Sequence, residues 1–154
     1  MKAKEFMTHE VVWVPPEMPI QEVAQLLTEK KISGVPVIGD VGLMGIITEG
    51  DLVDRVKKIH LPTLVTILDV VIPVAGERRY EAELRKMAGS TAQDIMTTEV
   101  VVADEEMDLA DVATLLSEEK VALLPVLRGE RVVGIIGKRD IIRAMLVDHS
   151  SHAL

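Results

Sequence analysis

Cysteine is absent from this sequence, which excludes a disulfide framework, thiolate metal ligands and a cysteine nucleophile together. Aromatic side chains are nearly absent too, Phe6, Trp13 and Tyr80 being the whole set. Three scattered rings give no platform on which successive bases of a single strand can stack. An excess of positive charge is also missing: the formal net charge is -8 and the pI about 5.0. No global field therefore draws the chain to nucleic acid or to an acidic membrane surface. Long apolar runs are lacking as well. The longest stretch, Leu61 to Ala75, is interrupted by Pro62, Asp69 and Pro73 and falls short of the roughly 20 residues that a membrane-spanning helix requires. Lys2 and Lys4 precede no apolar segment of signal-peptide length. The expectation is a soluble, cytoplasmic protein, without nucleic-acid or membrane partners. Its 154 residues, 48% of them apolar, are enough to bury a core without staples.

What the chain does contain is an internal repeat. Displaced by 89 positions, the distance from Thr8 to Thr97, the two ends align without a gap. Met7-Thr8 falls on Met96-Thr97, Glu10-Val11-Val12 on Glu99-Val100-Val101, and Val23-Ala24 on Val112-Ala113. Further on, Pro36-Val37 meets Pro125-Val126, Gly45-Ile46-Ile47 meets Gly134-Ile135-Ile136, and Asp51 meets Asp140. The division expected is a first repeat over 1–58, an unmatched helical insert over 59–90, and a second repeat with a short tail over 91–154.

Each repeat reads as β-α-β-β-α. Val11 to Val14 is a β-branched and aromatic run stopped by Pro15-Pro16, which predicts a first strand with Trp13 in the core, as its apolar neighbours favour, or at an edge of the first cleft. Ile20, Val23, Ala24 and Leu27 follow helical spacing, and Leu109, Val112, Ala113 and Leu116 repeat it. Val35–Ile38 and Leu43–Ile47 form two strands around the turn Gly39 to Gly42, with Arg128-Gly129-Glu130 turning the second copy. A last helix is expected to start at Asp51 and at Asp140. Two such units are best satisfied by packing their sheets together about a pseudo-twofold axis, in a mixed α/β fold with two equivalent clefts.

The end of each repeat carries the chemistry. Gly45-Ile46-Ile47-Thr48-Glu49-Gly50-Asp51 places a hydroxyl and a carboxylate where a buried strand meets a helix. Free N-H groups and the dipole at a helix start attract phosphate, and a nearby carboxylate can accept bonds from sugar hydroxyls. The same Thr-x-x-Asp is also a capping box that needs no ligand. In the second copy, Gly137-Lys138-Arg139-Asp140 keeps the carboxylate but loses the hydroxyl and gains two cations suited to holding phosphate oxygens.

These residues resemble the tandem cystathionine-β-synthase (CBS) domain pair, or Bateman module. The likeness rests on the duplicated Met-Thr opening, the strands Val35-Pro36-Val37 and Leu124-Pro125-Val126, and the Gly-apolar-apolar-Thr-x-x-Asp ending. It implies a module whose clefts bind AMP, ADP, ATP or S-adenosylmethionine as a regulatory ligand, with no other cofactor. It further implies that Asp51 and Asp140 contact ribose hydroxyls and that Thr48 faces phosphate. By the same resemblance the adenine pocket is lined by Ile32, Gly34, Val35 and Pro36 with Thr8 and Val11. The matching residues of the second copy are Val121, Leu123, Leu124 and Pro125 with Thr97 and Val100. Gly137 departs from the pattern, so the two clefts are expected to be unequal.

The insert adds a largely apolar segment, Leu61, Leu64, Val65, Leu68 and Ile72 keeping helical spacing, and then a charged helix over 77–88. Such a segment should cover its own module, form a homodimer contact, or dock a regulated partner protein. His149-x-x-His152 has ligand spacing but lies where a chain frays. With no nucleophile beside a base and no metal cluster in the sequence, the expected function is sensing rather than catalysis. The alternative is a structural or dimerisation module of the same fold that has lost its ligand.

Overall fold

A computed structural model of the chain describes residues 1–58 and 89–152. The insert helices expected over 61–75 and 77–88 lie outside the described residues. In order, the elements are α1 (Ala3–Phe6), α2 (Ile20–Lys30), β1 (Gly34–Gly39), β2 (Gly42–Thr48) and α3 (Glu49–Lys58). After the insert come α4 (Ala92–Ile95), β3 (Ala103–Asp104), α5 (Leu109–Glu118), β4 (Leu123–Arg128), β5 (Arg131–Gly137) and α6 (Lys138–His152). The mixed α/β class and the repeat both hold.

In each repeat an amphipathic helix covers a small sheet. Ile20, Val23 and Leu27 of α2 are buried with Val14, Val35, Val37 and Ile47. Val112 and Leu116 of α5 are buried with Leu124, Val126 and Ile136. Each such aliphatic side chain withdrawn from water contributes about 1.5–3 kcal/mol. β1 pairs antiparallel with β2, and β4 with β5, in the same register and with a shift after Val37 and after Val126.

The first strand is shorter than expected. In the second repeat β3 pairs parallel with β4 through Ala103 and Asp104, but in the first repeat only Val14 bridges, to Val37. The ladder stops for a chemical reason. Glu105 N-H donates to Leu127 O at 3.0 Å, and the equivalent position is Pro16, which has no N-H to give. Trp13 is 51% exposed and is not a core residue; with pairing confined to Val14, the residues before it form no strand that would turn the indole inward.

Two four-residue helices that hydrophobic periodicity did not predict organise the repeats. α1 packs into the core of the second repeat, where Ala3 and Met7 are buried beside Val112 and Ile136. Ala3 N-H and Lys4 N-H donate to Met107 O and Glu105 O. Symmetrically, Ala92 of α4 is buried in the core of the first repeat, with Ile95 and Met96 packed against it. Thr8 bridges Ile135 and Thr97 bridges Ile46, while Lys2 bridges Asp108 and Thr91 bridges Pro19. Each pair maps onto the other by the 89-position offset, so the opening segment of each repeat is exchanged about the pseudo-twofold axis. Lys4 pairs with Glu106 across the same contact, and that carboxylate holds the lysine above its usual pKa.

Candidate functional site

The last helix of each repeat starts two residues earlier than expected, at Glu49 and Lys138. Asp51 and Asp140 therefore sit in the third helical position, and their carboxylates fold back on the helix start. Thr48 N-H donates to Asp51 Oδ2 at 2.9 Å, and Asp51 N-H donates to Thr48 Oγ1 at 3.3 Å. This is a complete capping box. In the second copy only Gly137 N-H donates to Asp140 Oδ2, at 2.8 Å.

The remaining carboxylate oxygen of each aspartate is held from the opposite repeat. Thr97 Oγ1 donates to Asp51 Oδ1 at 3.1 Å, and Thr8 Oγ1 donates to Asp140 Oδ1 at 2.9 Å. Arg143 also donates to Asp140 Oδ1 from one turn further along α6. Asp140 is 7% exposed and is the one buried charged residue among those described.

These contacts define two clefts, each built from both repeats. The Asp51 cleft, about 360 Å³, is walled by Thr48, Glu49 and Asp51 from one repeat and by Thr97, Val100, Val121 and Leu123 from the other. The Asp140 cleft, about 550 Å³, is walled by Gly137, Lys138, Arg139 and Asp140 with Thr8, Val12, Ile32 and Gly34. Grouping the site residues repeat by repeat is thus corrected: Ile32, Gly34 and Thr8 face Asp140; Val121, Thr97 and Val100 face Asp51; and Leu123 lies in the wall of both clefts. The physical reason is the exchange of the Met-Thr segments. Val35, Pro36, Leu124 and Pro125 lie fully buried in the strands beneath and line neither cleft, and half-buried Val11 is not in the cleft walls.

Several wall residues were not anticipated. Lys31 and Lys120, equivalent by the offset, end α2 and the segment after α5 in the left-handed conformation, with φ of 53° and 52°. A non-glycine residue there costs about 1–2 kcal/mol, and one lysine serves each cleft. Glu10 and Glu99 are likewise equivalent and face one cleft each, while Glu49, Ser33, Ala122 and Leu123 line both. Lys31 and Lys120 were visible in the sequence only as charged residues where a glycine stop would be usual; Arg143 was visible as a cation three residues from Asp140 on the same helix. Among the described residues no three His, Cys, Asp or Glu side chains converge on a metal site, and no helix is long and apolar enough to cross a membrane.

The sequence pattern of the CBS domain matches residues 3–58 and 92–147. This chain belongs to the CBS-domain family. It is 31% identical over 148 residues to the chloroplastic CBS domain-containing protein CBSX1 of Arabidopsis thaliana, covering 92% of this chain and 63% of that protein. An uncharacterized protein of Methanocaldococcus jannaschii is 29% identical over 134 residues, covering 81% of this chain and 80% of that one. The chain thus spans about three fifths of the plant protein and four fifths of the archaeal one. The crystal structure of Arabidopsis CBSX2 in complex with AMP superposes with a TM-score of 0.73 at 26% identity, covering 96% of this chain and 98% of that chain. The CBS pair is therefore the frame within which the two clefts are to be understood.

Proposed function

We propose that this CBS pair is a regulatory module that binds an adenosine-containing ligand, AMP, ADP, ATP or S-adenosylmethionine, in its two clefts and performs no catalysis. The observation that carries the reading is the aspartate shared across the repeats. In each cleft a carboxylate stands at a helix start, where its oxygens suit the two hydroxyls of a ribose and the helix N-H groups suit a phosphate. CBSX2, which has the same fold, was crystallised with AMP. Because each cleft spans both repeats, a ligand that makes different contacts in two arrangements of the repeats biases that arrangement. Ligand occupancy then becomes a change of shape that a regulated partner can sense.

Calorimetric titration with AMP, ADP, ATP and S-adenosylmethionine should give saturable heat with at least one of them. No heat with any of the four contradicts the reading. It would favour the rival, an interaction module whose aspartates are satisfied by Thr48 and Thr97, and by Thr8, Gly137 and Arg143, with no ligand.

As the oligomeric state we propose a homodimer. Ile142, Met145, Leu146 and Val147 are 53–65% exposed along α6, and Val53 and Val56 are exposed on α3. Val53 is equivalent to Ile142, and Val56 to Met145, so the same apolar face is presented twice about the pseudo-twofold axis. A self-complementary partner is a second copy of the chain. Leu146→Glu together with Ile142→Glu should shift sedimentation from dimer to monomer, and a monomeric wild-type chain would contradict the dimer.

A further inference from the structure

We infer that the two clefts have diverged in charge, so that the Asp140 cleft takes a nucleoside polyphosphate and the Asp51 cleft takes an adenosine ligand that carries no phosphate. This rests on the reading of both clefts as adenosine sites. The walls are equivalent under the 89-position offset, which makes their differences informative. Glu49 in one stands where Lys138 stands in the other, Gly50 where Arg139 stands, and Asp54 where Arg143 stands. Divergence at these three positions is all in one direction.

The resulting fields differ in sign. Lys120 alone faces Glu49, Asp51 and Glu99 in the Asp51 cleft. In the other, Lys31, Lys138, Arg139 and Arg143 outnumber Glu10, Glu49 and Asp140. Cations in the first turn of a helix oppose its dipole, and Lys138 and Arg139 occupy that turn of α6. An anion in front of them reverses the penalty and is held by the helix N-H groups as well. Room exists for it, since this cleft is about 550 Å³ against about 360 Å³ for its twin.

Arg143 supplies a switchable donor. Its side chain is 70% exposed and bonds Asp140 Oδ1. A ribose hydroxyl that takes over as donor to that oxygen releases the guanidinium for a phosphate of the same ligand. Glu49 starts α3, so it sets a negative charge at the helix start of the smaller cleft, where Lys138 sets a positive one in its twin; in the larger cleft, which it also lines, it is offset by the four cations.

The test is calorimetry of the full chain with ATP and with adenosine, without divalent cations, on the wild type, Lys138→Glu and Glu49→Lys. ATP should occupy one strong site, and Lys138→Glu should weaken it about tenfold or more, a larger loss than the same variant causes for adenosine, which carries no phosphate. Lys138→Glu places an acid in the first helical turn, which supports rather than endangers folding. Glu49→Lys should raise ATP stoichiometry toward two. Two equal ATP sites in the wild type, or an ATP affinity indifferent to Lys138→Glu, overturns the inference and leaves the adenosine-site reading standing. Absence of heat with both adenosine and ATP overturns both.

Discussion

Gly45→Ala is expected to lower stability by about 3 kcal/mol, and Gly134→Ala by about 1 kcal/mol. The two glycines are equivalent by the offset, both are buried, and each lies beneath the exchanged Met-Thr segment of the opposite repeat. What a methyl group would strike differs between them. At Gly45 it comes within 2.8 Å of the backbone oxygen of Thr97, besides meeting Met96 Sδ and Cγ. That carbonyl is fixed, because it accepts from Ile46 N-H at 3.0 Å. At Gly134 the three nearest atoms are Sδ, Cγ and Cε of Met7, and a methionine side chain with three rotatable bonds can move aside. Relief at Gly45 requires Thr97 to withdraw, which also removes its hydroxyl from Asp51. Denaturant unfolding of the two variants measures the difference, and equal losses, or a larger loss at Gly134, would contradict it.

Asp140→Ala is expected to cost about 2 kcal/mol and Asp51→Ala about 1 kcal/mol, while each lowers ligand affinity in its own cleft by tenfold or more. Asp140 is the more buried and accepts from Thr8, from Gly137 N-H and from the charged Arg143. Its removal gives up bonds from Thr8, Gly137 and Arg143 to a buried carboxylate, although Arg143, 70% exposed, keeps water as a partner. Asp51 is half-buried and its partners are the neutral groups of Thr48 and Thr97, so the loss is that of a helix cap with one further bond. Capping alone predicts the same fall in stability with nucleotide affinity unchanged. Paired denaturation and calorimetry on each variant separate the two roles.

Much of the fold was legible because duplication makes weak signals corroborate one another. The spacing of Ile20, Val23 and Leu27 is convincing once Leu109, Val112 and Leu116 repeat it, and Gly39 to Gly42 reads as a turn because Arg128-Gly129-Glu130 sits in register. α1 and α4 were missed because four residues cannot display a 3.6-residue period, although Thr91-Ala92-Gln93-Asp94 carries a capping signal that the structure uses at 2.8 Å. Val11 to Val14 looked like a full strand from β propensity, yet only Val14 pairs with the sheet, and Pro16 lacks the donor that Glu105 uses to carry the second copy further.

The site was legible in its residue types and not in its assembly. Thr8, Thr97, Asp51 and Asp140 stand out from the repeat, but an offset symmetry is satisfied equally whether each threonine meets the aspartate of its own repeat or of the other. Only the docking of α1 and α4 into opposite cores decides for exchange. Lys31 and Lys120 were hidden for a related reason. Their place in the cleft walls follows from a left-handed backbone at a helix end, where propensity alone would put glycine. The charge contrast between Glu49 and Lys138 was visible from the start, whereas the contribution of Arg143 depended on the helix bringing it back to Asp140.

The most direct test of the account is the structure of the protein bound to AMP. Ribose hydroxyls should lie within hydrogen-bonding distance of the Asp51 or Asp140 carboxylate, with the purine against the opposite repeat: Thr97, Val121 and Leu123 in the first case, Thr8, Ile32 and Gly34 in the second. AMP bound away from both aspartates, or held by the residues of one repeat alone, would contradict it.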